Sequence, residues 1–239
     1  MVQFVKQLSG RINPNIYSSI SSQTDPASIA FLRQLQREMK KENVLDIPFS
    51  ELRVVVFDIE TTGFNPERGD RILSIGAVKM VGGQVLENET FYSLINSDGE
   101  IPENIIELTG IKEAHLIGAP PIEDVLKDFY QFIKNDTLVA HHANHEKSFM
   151  NHVTWSILRT NFQHRIIDTS FLLKIVEPEK RLVTLSECCE HYGIVIANRH
   201  HALYDALATA ELWGENIRLI KKLGFSDLND VYTHLAKIK

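Results

Sequence analysis

The chain has 239 residues, of which 44% are hydrophobic and 23% charged, and its formal net charge is −6 at pH 7. These values are typical of a globular protein with one domain and appendages, or with two small domains. The acidic balance argues against a protein that holds nucleic acid through a broad basic surface.

Several features favour a soluble protein of the cytoplasm. No apolar run approaches the ~18 residues that a membrane-spanning helix needs, and the first nine residues lack the pattern of a signal peptide. The two cysteines, Cys188 and Cys189, are adjacent, and neighbours in sequence rarely form a disulfide. We therefore expect a cytoplasmic location and no membrane partner.

Residues 1–50 are expected to form an N-terminal appendage that contains one amphipathic helix. Thr24, Asp25 and Pro26 resemble a helix start, because a capping side chain is followed by proline near the first helical position. Apolar residues then recur at roughly helical spacing, namely Ala30, Leu32, Leu35 and Met39. We expect this appendage to pack on the main domain or to contact a partner.

The main domain is predicted at residues 51–223. Its first strand ends at Asp58, and two further strands joined by Gly82 and Gly83 should lie antiparallel beside it. The elements expected in order are strands at 71–80 and 84–94, helices at 101–111 and 121–133, a strand at 137–140, a helix at 144–158, a strand at 165–168, short helices within 173–192 and a long helix at 201–223. This order predicts an α/β fold with a mixed five-stranded sheet flanked by helices. Residues 224–239 are expected to add a C-terminal helix capped by Ser226.

Two carboxylates stand at the end of the first strand. In an extended chain positions i and i+2 point to the same face, so Asp58 and Glu60 should aim at one spot. The carboxyl end of a core strand is where open α/β sheets bind ligands. Two like charges so close favour a bound cation, and oxygen ligands suit magnesium or manganese. The alternative is a strand that simply runs out into a polar turn at Thr61 and Thr62.

Two later clusters carry histidines and acidic side chains. Residues 141–146 read HHANHE at a strand-to-helix junction, and residues 199–205 read RHHALYD. Five steps on a helix leave two side chains about 140° apart. His200 and Asp205 can therefore meet only if His200 lies in the loop before the helix. Each cluster alone is weak evidence, because single histidines and helical aspartates are more often structural or solvated.

Together, FDIETTG, LTGI at 108–111, HHANHEKSF and HHALYDA resemble the motifs of the DEDDh 3′–5′ exonuclease superfamily, which includes the epsilon proofreading subunit of bacterial DNA polymerase III. The resemblance covers about residues 52–220. It implies a ribonuclease H-like fold and two divalent cations, Mg²⁺ or Mn²⁺, as cofactors. It also implies that Asp58 bridges both ions, that Glu60 and Asp205 ligate one of the two, and that His200 is the general base.

One position departs from the family. The second motif of the family reads His-Asn-Ala-x-Phe-Asp, whereas this chain ends the motif with Glu146. Glutamate keeps the charge but adds a methylene. We expect Glu146 to bind the metal in place of the aspartate that the family has at this position. His141 and His145 are also spaced like a helical zinc pair, but their order is not His-Glu-x-x-His, which disfavours zinc.

The resemblance further implies contacts with the terminal nucleotide from Thr61, Thr62, Leu108 and His145. The alternatives are a turn cap for the threonines, core packing for Leu108 and plain surface exposure for His145. Asp168 is expected to cap a helix rather than to bind metal.

The expected function is a metal-dependent 3′–5′ exonuclease that releases nucleoside 5′-monophosphates. Its expected partners are single-stranded or frayed 3′ ends of DNA or RNA, with a polymerase as a further partner in trans. Two alternatives stay open: an exonuclease-fold binding or scaffold protein with impaired catalysis, and a phosphodiesterase that acts on dinucleotides.

Overall fold

The computed structural model describes Ala30, Gln34 and residues 43–237. Ala30 and Gln34 are both helical, and the rest of the predicted N-terminal helix lies outside the described residues. Within the described part of the chain, no helix combines the length and the apolar character that crossing a membrane requires.

Five strands form one mixed sheet in the order β3-β2-β1-β4-β5. The strands are β1 (Arg53–Thr61), β2 (Ile72–Val81), β3 (Gln84–Leu94), β4 (Thr137–Ala140) and β5 (Ile166–Asp168). The pairs β1–β2 and β2–β3 are antiparallel, and the pairs β1–β4 and β4–β5 are parallel. The predicted fold class is confirmed.

Eight α-helices occur within residues 43–237, and all except Glu113–Leu116, which was not predicted, lie close to the predicted positions. They are α1 (Glu103–Thr109), α2 (Glu113–Leu116), α3 (Ile122–Ile133), α4 (Asn144–Leu158), α5 (Ser170–Val176), α6 (Leu185–Tyr192), α7 (Ala202–Lys222) and α8 (Leu228–Lys237). The expected cap of the last helix by Ser226 is wrong, because the carboxylate of Asp227 accepts the backbone N–H of Asp230 at 2.9 Å. A side chain one residue nearer the helix therefore meets the free N–H group.

The sheet is covered on both faces, as the apolar run at the start of β1 requires. Val55 and Phe57 pack in one core with Phe129 of α3 and Phe149 of α4. Val54 and Val56, which point the other way, pack in a second core with side chains that include Trp213 of α7 and Val231 of α8. The even-numbered residues of β1 therefore face α7.

A glycine brings α7 close to the sheet. Gly76 on β2 pairs with Asp58 on β1, and a Cβ atom on Gly76 would lie 2.2 Å from the backbone of Ala202 and Leu203. No side chain larger than hydrogen fits at that distance. The first turn of α7 is thus held directly beside the end of β1.

Candidate active site

A cavity of about 530 Å³ lies at the carboxyl ends of β1 and β4 and beside the first turn of α7. Its walls include Asp58, Ile59, Glu60, Thr61, Gly63, Phe64, Ile105, Leu108, Thr109, His141, His142, Asn144, His145, Glu146, Thr184, Leu185, Arg199, His200 and Asp205. Four of the five predicted catalytic positions are carboxylates, and all five residues line this one space. Parallel strands place their carboxyl ends at the same edge, which explains the convergence.

Strand β1 delivers Asp58 and Glu60 to the cavity. Both follow the even-numbered register of Val54 and Val56, so they point to the α7 side of the sheet. The pairing of β1 with β2 is irregular between Glu60 and Thr61. Such an irregularity bends the strand end and re-aims its side chains, here at the mouth of the cavity.

His200 and Asp205 meet because they lie on different elements. His200 adopts a left-handed backbone conformation (φ 61°) in the loop before α7, and Asp205 lies on the first turns of the helix. The backbone N–H of His200 donates to Oδ2 of Asp205 at 3.1 Å. The predicted position of His200 outside the helix is confirmed. Ligand atoms of Glu60, His200 and Asp205 lie within 4.8 Å of one another.

Glu146 enters from the first turn of α4 and is 3% exposed. The start of this helix is tied to β5, because Oδ2 of Asp168 accepts the N–H of Ala143 at 2.8 Å and Oδ1 accepts the N–H of Ser170 at 2.8 Å. Asp168 therefore holds two helix starts together, in keeping with the expected capping role. Neither Glu146 nor Asp58 belongs to the compact group of Glu60, His200 and Asp205.

The four carboxylates share one electrostatic environment. Burial, followed by the charges of Glu60, Glu146 and Asp205, raises the pKa of Asp58 well above its ordinary value. Burial is also the main reason that the pKa values of Glu60 and Glu146 rise to about 8 and that of Asp205 rises as well. Removal from water and mutual repulsion both disfavour the ionised carboxylates. A bound cation would offset both effects, so the site favours a ligand that carries positive charge.

The donor set fits divalent cations. Oε2 of Glu146 and Oδ1 of Asp205 are buried and have no hydrogen-bond partner within the described residues. Buried polar atoms are nearly always satisfied, so two such carboxylate oxygens on the walls of one cavity call for a ligand. Hard oxygen donors in this number suit magnesium or manganese.

The zinc alternative does not fit His141. One ring nitrogen of His141 lies 2.6 Å from Oγ1 of Thr169, and the other lies 2.8 Å from the carbonyl oxygen of Val183. Both nitrogens are used to tie the end of β4 to neighbouring loops. His141 is a structural residue whose ring nitrogens are not free for a metal ion.

The residues expected near a terminal nucleotide divide into two groups. Thr61, Leu108 and His145 line the cavity, and Leu108 is 49% exposed there. Thr62 is not among the lining residues, because its hydroxyl donates to Asp70 at 3.3 Å and accepts the N–H of Arg71 at 3.0 Å. The hydroxyl of Thr62 is used to close the turn after β1.

Among the lining residues outside the predicted site, Phe64 and Arg199 have side chains that can contact a substrate or the carboxylates. Phe64 is 81% exposed at the cavity, and its ring lies edge-on to that of His145 with centroids 5.5 Å apart. Arg199 donates a hydrogen bond from Nη1 to Oδ2 of Asp205. Phe64 directly follows TTG and Arg199 directly precedes His200, and this adjacency was the available signal in the sequence.

Comparison with known proteins agrees with this geometry. A family model described as Exonuclease, of the RNase T type, matches residues 55–213. The DNA polymerase III subunit epsilon of Aquifex aeolicus is 33% identical over 194 residues, a match that covers 81% of this chain and 91% of the relative. The PolC-type DNA polymerase III of Oceanobacillus iheyensis is 36% identical over 181 residues. That second match covers 75% of this chain, which spans 12% of the length of the polymerase.

Solved structures share the fold. The nuclease domain of 3′hExo, a DEDDh family member bound to rAMP, superposes with a TM-score of 0.62 at 18% identity, covering 74% of this chain and 95% of that domain. Exonuclease X in complex with 5′ overhanging duplex DNA gives a TM-score of 0.57 at 22% identity, covering 75% and 98% respectively. The predicted resemblance is confirmed, and the chain belongs to the exonuclease family that includes DNA polymerase III epsilon subunits.

Proposed function

We propose that this protein is a metal-dependent 3′–5′ exonuclease that releases nucleoside 5′-monophosphates from single-stranded or frayed ends. The observation that carries the proposal is the convergence of four carboxylates and His200 on one cavity, with buried oxygens of Glu146 and Asp205 left without partners. A site with that much uncompensated negative charge is suited to cations and to the phosphates that cations attract.

Asp58, Glu60, Glu146 and Asp205 are the residues that would hold two divalent cations. When bound, the ions would polarise the phosphodiester and stabilise the charge that develops on the attacking and leaving oxygens. Glu146 lies in the position of the family aspartate, and its buried, unpartnered oxygen supports a working ligand rather than a lost one. This observation favours catalysis over the scaffold alternative.

His200 is the proposed general base. Burial and the charge of Arg199 lower the pKa of His200 below its ordinary value of 6.5, which favours the neutral ring that can accept a proton from water. The left-handed backbone at His200 places this residue outside the helix. Its side chain can therefore line the same cavity wall as Asp205, whereas two positions five residues apart on one helix would point about 140° apart. Activity should therefore rise with pH through the pKa of His200 and level off above it.

The cavity wall also provides surfaces for a base. Phe64 and His145 form an edge-on ring pair, and the ring of Phe149 also packs against His145 with centroids 4.9 Å apart. An exposed ring on a rigid support can stack on any base, which suits a terminal nucleotide of varied sequence. A volume of about 530 Å³ lies within the usual range of small-ligand sites.

The proposed partners follow from charge and kinship. Because the chain is acidic overall and Arg199 is the one lysine or arginine among the described cavity residues, few backbone phosphates can be neutralised. Weak intrinsic binding would be offset by a polymerase that delivers the 3′ end in trans, as the kinship with epsilon subunits supports.

The test is hydrolysis of 5′-labelled single-stranded DNA and RNA oligomers in manganese and in chelator. We expect a ladder that shortens from the 3′ end, requires manganese and is lost, by at least about a thousandfold, in Asp58→Ala. A melting curve in chelator checks that this variant is folded, since removing one of four repelling carboxylates should not lower its melting temperature. Undiminished cleavage by Asp58→Ala would contradict the two-metal assignment, and the two polymers report the sugar preference.

A further inference from the structure

One permanent positive charge faces the carboxylates. Arg199 donates from Nη1 to Oδ2 of Asp205, and the same nitrogen lies 3.4 Å from Nδ1 of His200. The Nε–H of Arg199 donates to Oγ of Ser186 at 3.3 Å, which anchors the guanidinium to the start of α6. The side chain of Arg199 is about one-third exposed (34%), so it borders both the site and solvent.

The hydrogen bond from Arg199 leaves one carboxylate oxygen of Asp205 free to bind a metal ion. Oδ2 of Asp205 accepts from Arg199 and from the N–H of His200, whereas Oδ1 is buried and has no partner among the described residues. A cation can therefore bind Asp205 without displacing Arg199. The influence of Arg199 on such a cation is then repulsion between positive charges rather than competition for an atom.

The charge of Arg199 affects how well the metal-loaded site matches the charge of a phosphodiester. When bound cations hold all four carboxylates in their ionised form, these carboxylates and Arg199 together contribute three net negative charges among the described residues that line the cavity. Two divalent ions would change this balance to one net positive charge. A phosphodiester carries a single negative charge, so the loaded site would match the substrate. Without Arg199, the loaded site would be neutral before the phosphate arrived.

We propose that Arg199 sets the charge balance of the site: it weakens metal binding in the free protein and strengthens binding of the phosphodiester in the metal-loaded protein. This inference rests on the proposed exonuclease function. It assigns a role in substrate affinity to a residue outside the carboxylate and histidine set, and it couples the affinities for metal and substrate in opposite directions.

Two substitutions separate charge from hydrogen bonding. Arg199→Gln removes the charge but keeps an N–H donor for Asp205, and Arg199→Lys keeps the charge but loses the planar fork. Calorimetric titration with Mn²⁺ alone should give at least about fivefold tighter binding for Arg199→Gln and a value close to that of the unmodified protein for Arg199→Lys. Arg218→Gln is the matched control, because Arg218 pairs with Glu215 roughly 20 Å further along α7.

Cleavage kinetics at saturating manganese test the second half of the proposal. Arg199→Gln should raise the KM for a single-stranded oligomer about fivefold or more and reduce the dependence of log KM on log salt by about 0.7, as expected for the loss of one phosphate interaction. If Arg199 merely positioned Asp205, Arg199→Gln would bind Mn²⁺ no more tightly than the unmodified protein.

Manganese affinity that is unchanged or weaker in Arg199→Gln would overturn the proposal. The titration needs no turnover, so it decides the role of Arg199 even if the unmodified protein cleaves neither DNA nor RNA. A failure of the unmodified protein to cleave DNA and RNA would contradict the proposed function but not the role of Arg199. A complete lack of Mn²⁺ binding by the unmodified protein would overturn both.

Discussion

Helix α7 borders two concave surfaces that differ in electrostatic character. The first turn of α7 contributes to the cavity described above, whereas the rest of the helix lines a groove of about 1170 Å³ together with the turn between β2 and β3. In the groove Glu215 is paired with Arg218, whose Nε–H donates at 2.7 Å, and the pKa of Glu215 is lowered. In the cavity Asp205 keeps an unpartnered buried oxygen, and its pKa is raised.

Charge, rather than volume, distinguishes the proposed active site from the groove. The larger surface carries the ion pair of Glu215 and Arg218 near solvent, and such a pair contributes little to stability or binding. The smaller one holds four carboxylates, and three of these residues, Glu60, Glu146 and Asp205, are buried, which destabilises the protein unless a ligand compensates their charge. Perturbed pKa values of this kind cluster at functional sites.

The largest effect is expected from neutralising a cavity carboxylate. Glu146→Gln should lower kcat about 100-fold, because a neutral amide cannot hold a second cation in place of a carboxylate. Glu146→Asp restores the residue of the family motif and should keep kcat within about threefold. Glu215→Gln is the matched change in the groove and should leave kcat unaltered. Full activity of Glu146→Gln would remove Glu146 from the site.

The stability of the metal-free protein should depend on pH because of the cavity. Glu60 and Glu146 have an ordinary pKa of 4.5, and burial raises it to about 8 in the folded protein. Between these values the folded state binds more protons than the unfolded state, so the free energy of unfolding falls as pH rises through this window. Saturating manganese should raise the melting temperature by about 5–10 °C at pH 8 and by less at pH 5.5.

Equal manganese shifts at the two pH values would contradict the assignment of the raised pKa values to a cation site. Glu60→Gln provides the control, since it removes one of the two titrating groups. The melting temperature of that variant in chelator should vary less between pH 5.5 and pH 8 than that of the unmodified protein.

A smaller effect is expected at the rim of the cavity. Phe64→Ala should raise the KM for a single-stranded oligomer about five- to tenfold and leave kcat nearly unchanged, because a stacking surface for the base is lost. Ile117→Ala is a matched control, since Ile117 is also 81% exposed but does not line the cavity. An equal effect of both substitutions would show that Phe64 has no specific contact with the substrate.

Much of this architecture could be predicted from local patterns. The two-residue period of β1 gave the common direction of Asp58 and Glu60, and the turn at Gly82 and Gly83 gave the antiparallel pair β2–β3. The requirement that His200 lie outside the helix followed from helix geometry alone. These features depend on neighbours in sequence, which is why periodicity was sufficient.

The remaining features depend on contacts between distant segments. Whether Thr62 faced the cavity or closed a turn was settled by Asp70 and Arg71, which approach it from the following loop. The inward direction of Arg199 is set by its bonds to Ser186 on α6 and to Asp205 on α7. Periodic patterns of apolar residues in the sequence carry no information about contacts between such distant segments.

The most direct test of the account is a crystal structure with manganese, using anomalous scattering to locate the ions. The account predicts two peaks in the cavity, next to Asp58, Glu60, Glu146 and Asp205, and none beside Glu215 in the groove. A cavity without peaks at saturating manganese, or a peak at the groove carboxylates instead, would contradict it.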